Sequence, residues 1–311
     1  MIRVVNLTKY YGAIRALNGL NLTVNTGEIV GLVGKNGAGK STVLKVLSCQ
    51  LLPTEGDVTV EGFSVTSEPE AVRRRIGYLP ENPPLYPEMT VASYLEFCAR
   101  LRGVPRAQAV DRCKAVMSET GLTGMAEKLL SGLSRGYQQR VGIGQAIVHQ
   151  PDVVLLDEPM SGLDPLQIIQ IRELIRSLRQ RHTVLFSSHI LSEITNVCDR
   201  VVLIDQGALK AEGTEAALHE SLNDRQRLFL LVRGEAAAVR SMLKGLDQVT
   251  LEGVDPRGQG LLAVHLRTRG DAREALSRAC SQAGLGLLEL RSEHHGLEEL
   301  FVELLGHSEV A

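Results

Sequence analysis

The run Gly34-Lys35-Asn36-Gly37-Ala38-Gly39-Lys40-Ser41-Thr42 constrains what this chain can fold into more than any other stretch. The apolar Ile29-Val30-Gly31-Leu32-Val33 before it predicts a short buried strand, and Val43-Leu44-Lys45-Val46-Leu47 after it predicts a helix. Strand, glycine loop and helix in that order make Gly-x-x-x-x-Gly-Lys-[Ser/Thr] a nucleotide phosphate cradle. Glycines lack a Cβ, so backbone N–H groups turn inward around phosphate oxygens. The helix presents unpaired N–H groups and a partial positive charge to the same oxygens. Lys40 adds a full positive charge beside the β- and γ-phosphates, and the Ser41 hydroxyl is placed to ligate Mg²⁺.

Such a loop belongs in an α/β domain, and the remaining pattern agrees. Val153-Val154-Leu155-Leu156 and Thr183-Val184-Leu185-Phe186 are apolar runs suited to parallel strands covered on both faces. Ile76-Gly77-Tyr78-Leu79 reads as another strand, ending at Pro80-Glu81-Asn82-Pro83-Pro84, where the prolines forbid regular structure. Strands are also expected at 2–7, 20–24 and 57–60, and as a closing hairpin at 201–204 and 208–210. Helices are expected at 165–181 and 190–197. From Thr90 to about Gln150 the periodicity is helical. Strands alternating with helices predict an α/β domain with a mostly parallel sheet over 1–220, its helical part at about 88–150. Around 214–226 the chain turns charged and loop-like. Beyond it, 226–311 predicts β-α-β-β-α-β with a tail helix at 297–305, an order that resembles a small ferredoxin-like α+β unit.

Composition narrows the function. The net charge of −2 supplies no global basic field, so no nucleic-acid partner is expected. The five cysteines show no C-x-x-C spacing, which argues against a zinc site or disulfide framework and for a reducing cytoplasm. Met1-Ile2-Arg3-Val4-Val5-Asn6 lacks the pattern of a signal peptide. No apolar run approaches the ~20 residues that span a bilayer. A role at a membrane would therefore need a partner to supply the span.

Two further stretches carry chemistry. Asp157 and Glu158 close the apolar strand 153–156, at the sheet edge where open α/β folds bind ligands. One acidic residue there can hold Mg²⁺ opposite Ser41, and a second carboxylate beside it can polarise an attacking water. Taken alone, the pair is equally an exposed acidic turn before Pro159. Leu133-Ser134-Arg135-Gly136-Tyr137-Gln138 opens a helical pattern, which makes Ser134 either a plain N-cap or part of a second anion site.

Together these stretches resemble the nucleotide-binding subunit of an ABC transporter over about residues 1–220. Residues 34–42 look like its Walker A, 133–138 like its signature sequence and 153–158 like its Walker B. Ser161-Gly162-Leu163-Asp164 resembles the D-loop, and Ser187-Ser188-His189 resembles the stretch with the switch histidine. The resemblance implies a P-loop ATPase fold: a RecA-like core with an antiparallel β subdomain and a helical subdomain. It implies Glu158 as catalytic glutamate, His189 at the γ-phosphate, and Tyr11 stacked on adenine with Tyr10 as rival. It implies Ser134, Arg135, Gly136, Tyr137, Gln138 and Asp164 acting across a dimer. ATP and Mg²⁺ are the implied cofactors, with Ser41, Asp157 and Glu81 toward the metal.

The sequence departs from that family at Glu81, where a neutral Gln is usual, and at Arg135 and Tyr137, which replace the commoner Gly and Gln. Glu81 offers the metal a charged carboxylate but repels γ-phosphate. Arg135 either adds charge beside the nucleotide or is solvated. One phosphate loop and one signature per chain imply a head-to-tail dimer, expected to be a homodimer. A membrane permease is the other implied partner, with the chain held at the inner face of the plasma membrane. The appended small domain and Leu297-Glu298-Glu299-Leu300-Phe301 resemble ABC-2-type exporters. Competing readings are an ABC-type ATPase working on nucleic acid or the ribosome, and a regulatory subunit with negligible turnover.

Overall fold

The computed structural model describes residues 1–293 apart from Gln180, Asn196, 223–225, Gln259 and Arg269. The tail helix expected at 297–305 lies outside the described residues. The chain divides into two compact units, one running Met1–Thr214 and the other beginning at Glu215. The division thus falls a few residues before the expected 220.

The first unit holds two sheets. One has the order β2-β1-β4-β5 and is antiparallel, built from β1 (Ile2–Tyr11), β2 (Ile14–Val24), β4 (Glu55–Val60) and β5 (Phe63–Ser64). The other has the order β10-β9-β3-β8-β7-β6. Its members are β3 (Ile29–Val33), β6 (Ile76–Leu79), β7 (Val153–Leu156), β8 (Thr183–Ser188), β9 (Arg200–Asp205) and β10 (Ala208–Gly213). All neighbours in it are parallel except the β9–β10 hairpin. β3 and β7 are buried at every position, as their unbroken apolar runs require.

A parallel sheet gathers its carboxyl ends on one edge. Val33 pairs with Ser188, Phe186 with Leu156, and Leu156 with Leu79. Gly34, His189 and Asp157 follow three of these ends directly and Glu81 lies two residues past Leu79, so the register gathers these expected residues at one edge.

The helical stretch contains α3 (Val91–Leu101), α4 (Arg106–Glu119) and α5 (Arg135–Ile147). α5 is seated on the edge strand β6. A Cβ at Gly77 would be driven into the Ala146 carbonyl, so only glycine lets the helix come this close. The outward carbonyls of β6 are met by side chains of α5 and of the residues just after it: Gln145 Nε2 donates to Tyr78 O at 2.7 Å, and the His149 ring lies 3.0 Å from Ile76 O.

Several boundaries differ from expectation. β1 and β2 run on to a tight hairpin at Gly12, whose φ is 59°, so Tyr10 and Tyr11 end a strand. Bulged register between them breaks the simple alternation that marks a strand. α1 (Lys40–Leu47) begins three residues earlier than the apolar pattern suggests. α2 (Pro69–Arg75) and β5 carry too few apolar residues to be read from periodicity. α6 (Pro165–Leu178) and α7 (Leu191–Thr195) are shorter than expected.

The second unit, opening with α8 (Glu215–Leu222), contains β11 (Gln226–Arg233), α9 (Ala236–Leu243), β12 (Val249–Gly258), β13 (Leu261–Thr268), α10 (Arg273–Gln282) and β14 (Gly286–Glu293). Its antiparallel sheet has the order β12-β13-β11-β14. Leu228, Leu230, Val264 and Leu266 pack with Val239 and Leu276 of the helices in one core. The element order is the expected β-α-β-β-α-β. Among the described residues no helix is long and apolar enough to cross a membrane.

Candidate nucleotide site

The loop between β3 and α1 hands over to the helix at Gly39, whose φ of 106° suits glycine alone; a Cβ there would also lie 2.8 Å from Ala16 O. Because α1 starts at Lys40, the residues Lys40, Ser41 and Thr42 form its first turn and their N–H groups lie at its open end. No acidic side chain occupies that turn, which leaves its positive field for a ligand. A cleft of about 390 Å³ lies over it, lined by Asn36 to Thr42 with Ala16, Glu81, Glu158, Ser161 and His189.

Lys40 is buried. Its Nζ donates to Gly34 O at 2.8 Å and Lys35 O at 3.3 Å and lies 3.2 Å from Glu158 Oε1. The other Glu158 oxygen, Oε2, is 2.9 Å from His189 Nδ1. Glu158 itself has φ 47°, a left-handed conformation that a non-glycine residue keeps only when its surroundings hold it. Its N–H donates to Ser187 Oγ at 2.9 Å.

Asp157 Oδ1 accepts two hydroxyls, from Ser41 at 3.0 Å and from Ser187 at 2.7 Å. Ser41 and Asp157 therefore stand together as hard oxygen donors, the kind Mg²⁺ takes. Among the described residues no group of three His, Cys, Asp or Glu is close enough to hold a metal. Glu81 lines the same cleft from the end of β6. Near Asp157, the Tyr78 hydroxyl is buried without a partner, and burial together with the Asp157 charge pushes its pKa up.

The other predicted residues fall elsewhere. None of Ser134, Arg135, Gly136, Tyr137 and Gln138 lines the cleft. Ser134 caps α5 with its backbone only; its exposed hydroxyl makes no capping bond. Gly136 is buried against the Gln167 side chain, where a Cβ would meet Gln167 Cδ at 2.7 Å. The Arg135 guanidinium lies over Gly162, with Cζ 2.8 Å from where a Cβ there would sit. Asp164 is the N-cap of α6, its Oδ1 accepting the Gln167 N–H at 2.9 Å, with Pro165 next. The 134–136 corner and the 161–164 turn thus share one surface of the chain. Tyr11 stands 43% exposed at the hairpin end, opposite Ile14, with the Lys9 ammonium 5.7 Å from its ring centre.

One residue at the site, Ser187, has a role that the sequence alone does not assign. It stands in the Ser187-Ser188-His189 stretch, where the resemblance gives a role to His189 alone. Its signal is two consecutive hydroxyl residues, Ser187 and Ser188, closing a strand buried at every position.

This cradle, with a paired carboxylate and histidine at the sheet edge, defines a P-loop nucleotide hydrolase. The ABC transporter family profile matches residues 17–161. The bacitracin transport ATP-binding protein BcrA of Bacillus licheniformis is 33% identical over 98% of this chain and 97% of its own length. The daunorubicin/doxorubicin resistance ATP-binding protein DrrA of Streptomyces peucetius is 35% identical over 98% of this chain and 92% of its own. Among solved structures, an ATP-binding subunit of an ABC transporter superposes with a TM-score of 0.65 at 32% identity, covering 71% of this chain and 93% of that one. The dimeric post-hydrolysis state of the cassette MJ0796 with ADP and Pi gives 0.63 at 26% identity, over 69% and 98%. The chain belongs to the ATP-binding subunits of ABC transporters, and it is an ATPase.

Proposed function

We propose that the chain drives export through a separate membrane permease, working as one half of a head-to-tail dimer that encloses two Mg–ATP. The observation that carries this reading is the split of the machinery. One chain holds a phosphate cleft with Lys40, Glu158 and His189 in place, while none of residues 134–138 lines that cleft. A second copy turned head to tail would bring Ser134 and Gly136 to the open side of the nucleotide. ATP then stabilises closure, because its phosphates gain the second set of donors only in the closed state.

In that assembly Lys40 and the first-turn N–H groups of α1 grip the phosphates. Glu158 polarises the attacking water, and His189, held by Glu158 through Nδ1, turns Nε2 toward the γ-phosphate. Ser41 and Asp157 would hold Mg²⁺ with Glu81 reaching in, and the ion would neutralise charge developing on the phosphate oxygens. Tyr11 offers its exposed ring to adenine, and Asp164 reaches the second copy.

Export is the direction favoured by relatives named for bacitracin transport, linearmycin resistance and daunorubicin/doxorubicin resistance. The permease would dock beside Glu81, where Tyr86 and Phe97 stand exposed in an aromatic cluster with ring centres 5.7 Å apart and Leu101 is 73% exposed. Docking there would hold the chain at the cytoplasmic face of the membrane. We read the second unit as a ferredoxin-like accessory module. The test is light scattering on a Glu158→Gln variant. ATP should convert monomer to dimer, Ser134→Arg should prevent it, and dimerisation indifferent to ATP would refute the reading.

A further inference from the structure

We propose that Ser187 is a positioning residue for both carboxylates of the hydrolytic site. It rests on the reading of Ser41 and Asp157 as holders of Mg²⁺.

Side chains alternate along a strand, so Ser187 and His189 leave the end of β8 on one side and Ser188 on the other. The contacts follow that alternation. Ser188 Oγ turns away to donate to Glu193 Oε2 at 2.7 Å and to accept the Ile190 N–H at 3.0 Å, which fixes the loop after the strand. Ser187 and His189 both face the end of β7. Ser187, with no exposed surface, donates to Asp157 Oδ1 and accepts the Glu158 N–H, while His189 meets the Glu158 carboxylate. One hydroxyl therefore holds the side chain of Asp157 and the backbone of Glu158.

Each bond has a consequence. Asp157 Oδ1 is already taken by two hydroxyl donors, so its orientation is fixed, and Oδ2 is left for the metal or its water. Ser41 can keep its proton on Asp157 and still offer an oxygen lone pair to the metal. At Glu158, the bond from Ser187 pins an N–H in a left-handed backbone turn, φ 47°, that would otherwise relax. Such a relaxation would carry the carboxylate away from the attacking water. Partners that orient metal-holding groups commonly change metal affinity or activity 10–100-fold when removed.

The experiment compares wild type, Ser187→Ala and Ser187→Thr. Mn²⁺ uptake in the presence of a non-hydrolysable ATP analogue is read by electron paramagnetic resonance. kcat and KM for ATP are measured separately, and analogue binding in EDTA checks that each variant is folded. Ser187→Ala should weaken Mn²⁺ uptake about 10-fold and lower kcat about 10–100-fold. KM and EDTA binding should stay near wild type, and Ser187→Thr should recover much of both losses. Ser187→Ala with wild-type Mn²⁺ uptake and kcat would overturn the proposal alone, as would a folded Ser187→Thr no better than Ser187→Ala. A wild type that takes up no Mn²⁺ with the analogue would overturn the metal reading and the proposal with it.

Discussion

Lys40 Nζ lies 3.2 Å from Glu158 Oε1, so the cation proposed to grip phosphate and the carboxylate proposed to polarise water form a buried ion pair. Both side chains are more than nine-tenths buried. Removing one partner of a buried pair strands the other charge, whereas removing both does not. Lys40→Met should therefore lower stability by about 2–4 kcal/mol, with the His189 contact to Glu158 limiting the loss. Lys40→Met with Glu158→Gln should cost clearly less than the two single changes summed. Urea unfolding of the four proteins of this cycle checks it, and strict additivity would show that the pair is not coupled.

The same pair implies how ATP frees the base. A γ-phosphate drawing Lys40 to itself leaves the Glu158 carboxylate held by His189 alone, its N–H staying on Ser187. His189→Ala should then keep ATP binding near wild type and lower kcat about 100-fold, the range expected for a misoriented general base. A fall in affinity of similar size, with kcat unchanged, would assign His189 to binding instead.

Glu81 supplies a carboxylate to the cleft where a neutral amide is usual in the family. Glu81→Gln removes one negative charge near the metal position and should raise the Mg²⁺ concentration for half-maximal ATPase several-fold. Glu81→Ala should raise it further. Identical Mg²⁺ curves for all three would remove Glu81 from the metal's surroundings.

Gly77 shows how closely α5 and β6 are joined. Any side chain there meets the Ala146 backbone, which cannot rotate out of the way. Gly77→Ala should cost about 3 kcal/mol, near the upper end for overpacking, read as a shifted denaturation midpoint. A neutral result would mean that α5 can lift from the strand.

What could be read from the sequence was what short local strings determine. Gly34 to Thr42, the apolar run into Asp157 and the strand into His189 each announce themselves within ten residues, and parallel pairing then aligns their ends. The contacts between distant stretches could not be read. Arg135 against Gly162, Gln145 on Tyr78 O and Ser187 beneath Asp157 depend on side chains meeting across the fold. Nor does periodicity reveal where a hairpin bulges, which is why β1 outran its expected length and carried Tyr11 with it.

His149 links stability to pH through the same α5–β6 seam. Its Nε2 donates to Ile76 O, while Nδ1 is buried without a partner. Protonation would place a second N–H where no acceptor waits, near Arg102 and Arg112. Burial first, and then the Arg102 charge, lower its pKa to about 4, although the Ile76 bond opposes them. An ordinary histidine titrates near 6.5, so the unfolded chain takes up the proton first as pH falls. The stabilisation is whole above about pH 6.5 and is lost as pH falls toward 4, amounting to about 2–3 kcal/mol. His182, also lowered by burial, acts in the same direction. His149→Gln keeps a donor for Ile76 O and cannot titrate. The stability difference between wild type and this variant should therefore shift by about 2 kcal/mol between pH 7 and pH 4.5, against wild type at the acid end. Parallel stability curves over that range would show that His149 keeps an ordinary pKa, and with it that the seam admits water.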